Sequence, residues 1–217
     1  MSRNVLRLFF LSCIIISSAC APRTIAPPTV SGGEMRAAIS EKKGFTEIES
    51  AFAISFEKGE SEMRGDGALN ISKSGDLDLR VYSFGFPALE VTVSDGLAKS
   101  NPRIDHNKTR ILTEGLRDCI FWWNSEQYSL DEDKDAYIMR SGRRKVWIDR
   151  KSFLPLRQVV SIDDGSELTI TYGEPARQNG IWYQSRLRIE YMKSAVTLSV
   201  KTLSVNPKNP SCIYCSL

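Results

Sequence analysis

The sequence predicts a mainly β, α+β fold: an antiparallel sheet with one apolar face, a short N-terminal helix and one longer helix. Three observations carry that expectation. Across residues 77–93, Leu77, Leu79 and Val81 alternate with Asp78, Arg80 and Tyr82, and Leu89, Val91 and Val93 alternate with Glu90 and Thr92. Period-two alternation on both sides of a Gly/Pro break is a β-hairpin with one apolar face. Further alternating segments follow one another across short Gly-containing turns, and connections that short join antiparallel neighbours. Over residues 107–123 the period changes: Ile111, Leu112, Gly115, Leu116, Cys119, Ile120 and Trp123 recur at three- and four-residue spacing, the signature of one helix face.

In chain order, residues 1–19 open with Arg3 and Arg7, continue through a mostly apolar run and end in Ser17, Ser18 and Ala19. This is too short to cross a bilayer and reads as a secretory signal peptide. Small residues running into Cys20 resemble a bacterial lipobox, with Ser17 where the pattern prefers leucine. That resemblance implies that the Cys20 thiol is acylated and becomes the first mature residue. It also implies the outer membrane, since Ala21 stands where an aspartate would retain the chain at the inner membrane.

Residues 20–33, rich in Pro, Gly and Thr, read as a flexible tether. Residues 34–43 place Met35, Ala38 and Ile39 on one helical face, stopped by Gly44. Residues 45–56 switch to alternation through Phe52, Ile54 and Phe56. A second strand follows at 63–72, carrying Leu69 and Ile71, and Ser74-Gly75 turns it into the hairpin above. After the longer helix, strands are expected at 136–141, 145–149, 156–162, 167–172, 182–191 and 195–205, with Ile170, Leu187 and Ile189 among the inward positions. A loop is expected at 173–180, and residues 207–217 form an irregular tail after a domain spanning 34–206.

The hairpin tip is unusual. Turn tips favour Gly, Asn, Asp and Ser, yet this one reads Phe84, Gly85, Phe86, Pro87. Leaving a phenylalanine in water forfeits about 1.5–3 kcal/mol of burial. The tip therefore calls for a core, a partner or a bilayer to cover it. A turn breaks the two-residue rule of strands, so one of the two rings is expected to face out.

Composition narrows the function. Residues 1–19 hold two arginines and no acid, so the remainder carries 27 Lys+Arg against 26 Asp+Glu, which gives no basis for nucleic-acid binding. The roughly 200 residues left suffice for one domain with a sizeable core. His106 is the one histidine and sits in a polar stretch. There is no nucleophile–base pair, P-loop or metal-spaced cluster, so no catalysis, metal or cofactor is expected. Asp131–Asp135 starts like a calcium loop but lacks its glycine and closing glutamate, and reads as a solvated turn. Cys212 and Cys215 are spaced as in redox motifs; in an oxidising compartment they are expected to form a disulfide with each other or with Cys119.

Several stretches together resemble the lipoprotein-localisation superfamily of LolA and LolB. They are FTEIESAFAISF at 45–56, YSFGFPALEV at 82–91, with Phe84 where LolB carries a leucine before the glycine, which makes Phe84 the ring expected to face out, and LPLRQVVSIDDGSELTITYGE at 154–174 followed by long paired strands. The resemblance spans about residues 34–206. It implies an incomplete antiparallel β-barrel, a half-barrel, whose mouth is closed over an apolar cavity by helices. The cavity would be lined by Phe52, Ile54, Phe56, Leu69, Ile71, Leu79, Val81, Leu89, Val91, Ile170, Leu187 and Ile189, under a lid helix presenting Ile111, Leu112, Leu116 and Ile120. The alternation alone fits a packed core equally well. The resemblance further implies a monomeric outer-membrane lipoprotein that takes acyl chains from a periplasmic LolA-like carrier, with Phe84, Gly85 and Phe86 as its membrane-contacting tip. The alternative is a non-catalytic envelope lipoprotein that uses the same fold to bind a protein partner.

Overall fold

Alternation of buried and exposed residues builds the strands, and their pairing places the first and last strands side by side at the centre of one sheet. The computed structural model describes residues 35–59, 61–162 and 165–207. Cys20, the signal and tether segments, and Cys212 and Cys215 lie outside them. The chain runs α1 (Met35–Lys42), β1 (Phe45–Lys58), β2 (Ser61–Ser72), β3 (Leu77–Ser83), β4 (Phe86–Ser94), β5 (Leu97–Asn101), then a helix in three parts. Those parts are α2 (His106–Arg110), a π-helical turn (Ile111–Gly115) and α3 (Leu116–Ile120). There follow β6 (Ser129–Glu132), β7 (Ala136–Ser141), β8 (Arg144–Asp149), β9 (Pro155–Ser161), β10 (Glu167–Tyr172), β11 (Pro175–Gln178), β12 (Ile181–Gln184), β13 (Arg186–Tyr191) and β14 (Ser194–Pro207).

Twelve strands form one antiparallel sheet in the order β5-β4-β3-β2-β1-β14-β13-β10-β9-β8-β7-β6, and β11 and β12 form a separate hairpin. The end strands β5 and β6 do not pair with each other, so the sheet stays open, as a half-barrel requires. On β1, Ile48, Phe52, Ile54 and Phe56 are buried on the concave face. Facing β14 skips Lys201 between Val200, opposite Phe52, and Thr202, opposite Ala51. That bulge keeps Leu198 and Val200 on the same face as Leu203 and Val205, despite the odd spacing between the two pairs.

The helix packs its apolar stripe onto the sheet. Ile111, Leu112, Leu116 and Cys119 are buried. Gly115 allows the approach, since a Cβ there would lie 3.0 Å from Ile189 Cγ2 and 3.3 Å from Leu168 Cδ1. Asp105 caps the helix by accepting from the Lys108 backbone N–H at 2.9 Å. Beneath α3, the Tyr172 hydroxyl lies 3.1 Å from both the Cys119 carbonyl and Gln158 Oε1. Beside it, Arg144 donates to Asp118 at 2.6 Å. Burial pushes the thiol of Cys119 well above its ordinary range, so it is a packing group rather than a thiolate.

Several expected boundaries change. The run 182–191 is two strands in different sheets: β12 pairs with β11, and β13 joins the main sheet after Ser185. The loop expected at 173–180 therefore contains β11. The helix ends at Ile120, not at Trp123, and Trp122 and Trp123 follow in a turn. His106 is the first residue of α2 rather than part of a loop. Asp131 and Glu132 belong to β6 and pair with Arg140 and Arg150 at 2.8 and 2.9 Å, respectively. Among the described residues no helix is long and apolar enough to cross a membrane.

Candidate functional site

Two features are set apart from an ordinary sheet-and-helix core. The first is an apolar cavity of about 80 Å³. Its floor is the centre of the sheet, with Ile48 and Phe52 from β1, Leu69 from β2, Leu187 from β13, and Leu198, Val200, Leu203 and Val205 from β14. Its roof is Cys119 and Ile120 at the end of α3, then Trp122 and Trp123. Lys42 and Phe45 close one side, and Ile181 to Gln184 of β12 close another. Trp123 stands at the centre of an aromatic cluster, packed edge-on against Phe45, Phe121 and Trp122 with centroids 5.6–6.2 Å apart. Such contacts stiffen the roof beyond what area burial supplies.

All twelve residues expected to line a cavity are buried. Phe52, Leu69 and Leu187 are in its wall; the other nine pack as core. Of the expected lid residues, Ile111, Leu112 and Leu116 are core contacts of the helix, and Ile120 reaches the cavity. A void of this size admits a few waters or part of one alkyl chain.

The wall also holds polar groups that the sequence did not single out. Lys42 is half-buried, with its amine 5.4 Å from the Trp123 ring centre and no ion pair among the described residues. Burial pushes its pKa down, because the charged form loses water. Trp123 Nε1 and Gln184 Oε1 are buried without a hydrogen-bond partner among the described residues, although Gln184 Nε2 donates to the Pro155 carbonyl at 2.8 Å. Buried polar atoms are rarely left unpaired.

The second feature is the β3–β4 tip. Phe84 is 99% exposed and Phe86 is 74% exposed. Both rings face out, where one was expected to. The turn is two residues long, with Phe84 at φ 52° and Gly85 at φ 83°. Such hairpin turns need positive φ at both central positions, which favours Asn-Gly and Asp-Gly. The protein uses those pairs elsewhere: Asp95-Gly96 joins β4 to β5, and Asn179-Gly180 joins β11 to β12, at φ values of 51–83°. Phenylalanine in the left-handed region costs about 1–2 kcal/mol, so Phe84 is a conformational burden as well as an exposed apolar one.

No family model and no curated protein matches the sequence. Solved structures do match the fold. A LolA superfamily protein from Nitrosomonas europaea superposes with a TM-score of 0.54 at 9% identity, over 82% of this chain and 94% of that one. A DUF1329 family protein from Desulfovibrio piger ATCC 29098 gives 0.54 at 13% identity, over 83% and 94%. A putative outer membrane lipoprotein-sorting protein domain from Vibrio parahaemolyticus gives 0.50 at 12% identity, over 83% and 94%. At such identities the likeness speaks for the fold, and the fold of this chain is the LolA/LolB-like half-barrel.

Proposed function

We propose that this chain is a non-catalytic outer-membrane lipoprotein that binds acyl chains in the apolar cavity and delivers them to the bilayer, as a LolB-like acceptor does. The observation that carries this reading is the presence in one half-barrel of an apolar cavity and an exposed two-phenylalanine tip. An alkyl chain gains about 0.8 kcal/mol per CH₂ removed from water, so acylated cargo needs an apolar host to leave a membrane. A periplasmic LolA-like carrier would supply that cargo, and Phe84 and Phe86 would touch the acyl boundary. In this reading the lipid on Cys20 holds the protein at the membrane, and the tip acts only on release.

The test is mass spectrometry of the protein purified from membranes in mild detergent. An acyl compound bound in stoichiometric amount, whether acylated peptide, phospholipid or free fatty acid, is the expected result. A ligand-free protein would sink the acceptor reading and favour a lipoprotein that binds a protein partner. The small volume of the cavity is the observation on the side of that second reading. The anchor has its own test. Cys20→Ser is expected to abolish incorporation of labelled palmitate; label retained by the variant would place the lipid elsewhere.

A further inference from the structure

We propose that the cavity selects a single-chain carboxylate, a free fatty acid, by clamping its head between the Lys42 amine and Trp123 Nε1. This rests on the acyl-binding reading and adds a chemical class of ligand to it. Three observations converge on the head site. The Lys42 amine is in the cavity wall, beside the Trp123 ring, with only the through-space pull of Glu41 and no salt bridge among the described residues. Trp123 is 6% exposed, and its indole N–H has no acceptor among the described residues. Gln184, in the same wall, is 8% exposed with Oε1 unpaired.

An apolar chain alone would leave Trp123 Nε1 and Gln184 Oε1 unsatisfied, which is costly for buried polar atoms. A carboxylate offers two acceptor oxygens to the two donors. The amine lies 5.4 Å from the centre of the same indole, so the two donors stand beside each other in the wall and one carboxylate can address both. The orphan Gln184 oxygen would accept from a water held at the head. It also argues against a phosphate dianion, which would bring more negative charge to a wall with one cation and an unpaired acceptor. Volume points the same way. At about 80 Å³ the cavity holds part of a single chain at rest. The acyl groups of a lipoprotein are esters and an amide and carry no charge at this point, so Lys42 distinguishes free acid from lipoprotein cargo.

The experiment uses membranes carrying the full chain, a photoreactive palmitic acid, its methyl ester and the corresponding alkyl phosphate, with the labelled residues mapped by mass spectrometry. The acid is expected to label the cavity wall about tenfold more than the ester, the worth of one charge-assisted hydrogen bond. Lys42→Met should erase that difference while Lys42→Arg retains most of it, with melting followed in parallel to show that both variants are folded. Equal labelling by acid and ester overturns the head site and leaves acyl binding standing. Stronger labelling by the phosphate overturns the carboxylate assignment. No cavity labelling by any probe overturns both this inference and the reading it rests on.

Discussion

Phe84→Glu is expected to block delivery of acyl cargo to liposomes while leaving the fold intact. The ring is 99% exposed, so its removal costs no core contact. Surface changes of this kind stay within about 0.5 kcal/mol, or about 1–2 °C in melting temperature for a chain of this length. At the membrane the ring would recover about 1.5–3 kcal/mol by entering the acyl boundary, a factor of roughly 10–150 in contact lifetime. A carboxylate at that depth forfeits this gain and adds a charge penalty. Phe84→Asn sharpens the test, because its two effects have opposite signs. Asparagine suits the left-handed turn position that Asp95 and Asn179 fill elsewhere. That variant should therefore be more stable by up to about 1 kcal/mol and still lose transfer. A protein that becomes more stable and delivers normally would remove the tip from the mechanism.

Phe52→Ala is the substitution expected to cost the most stability, about 3–5 kcal/mol, with a melting temperature lower by about 6–20 °C. Phe52 is 2% exposed. Its ring lies over Gly67 on β2, so close that a Cβ at 67 would stand 2.3 Å from Phe52 Cε2. The same ring is part of the cavity wall. Truncation should therefore enlarge the cavity as well as loosen the core, and a bound acyl chain can refill it. Palmitic acid is expected to raise the melting temperature of the variant more than that of the parent, by mass action on the folded state. A loss under about 3 °C would show that the ring does not pack the core, and equal stabilisation of both proteins by the acid would show that it does not bound the site.

Much of this fold was legible because its strands have one wet and one dry face. Leu77–Val93 and Phe52–Phe56 announced themselves by period, and Gly-containing turns marked their ends. The strands that escaped notice carry no such contrast. β5 and β6 are the sheet's edges, short and mostly exposed, so no alternation was imposed on them. The break between β12 and β13 falls at Ser185, in a run without Gly or Pro, where the backbone N–H of Ser185 bonds to the Glu174 carbonyl at 2.8 Å. The cavity is a different matter. That Trp123 Nε1 and Gln184 Oε1 lack partners follows from how segments some 60 residues apart meet in the cavity wall, and periodicity cannot report it. The tip was visible from the start, because two phenylalanines beside a turn glycine contradict turn chemistry.

The unjoined edges β5 and β6 have a mechanical consequence. A closed barrel is a hoop: its girth is set by strand number and stagger, and widening it means breaking hydrogen bonds. This sheet is a curved leaf with two loose margins. It can unroll by small rotations shared among its strand pairs, each bond bending slightly and none parting. The helix links the two margins in sequence and is seated on the leaf through Gly115 and, at its far end, through Asp118 and Cys119, so a chain entering beneath that end works against those contacts. An interior that is nearly shut at rest can therefore be compliant under load, taking the width of whatever occupies it.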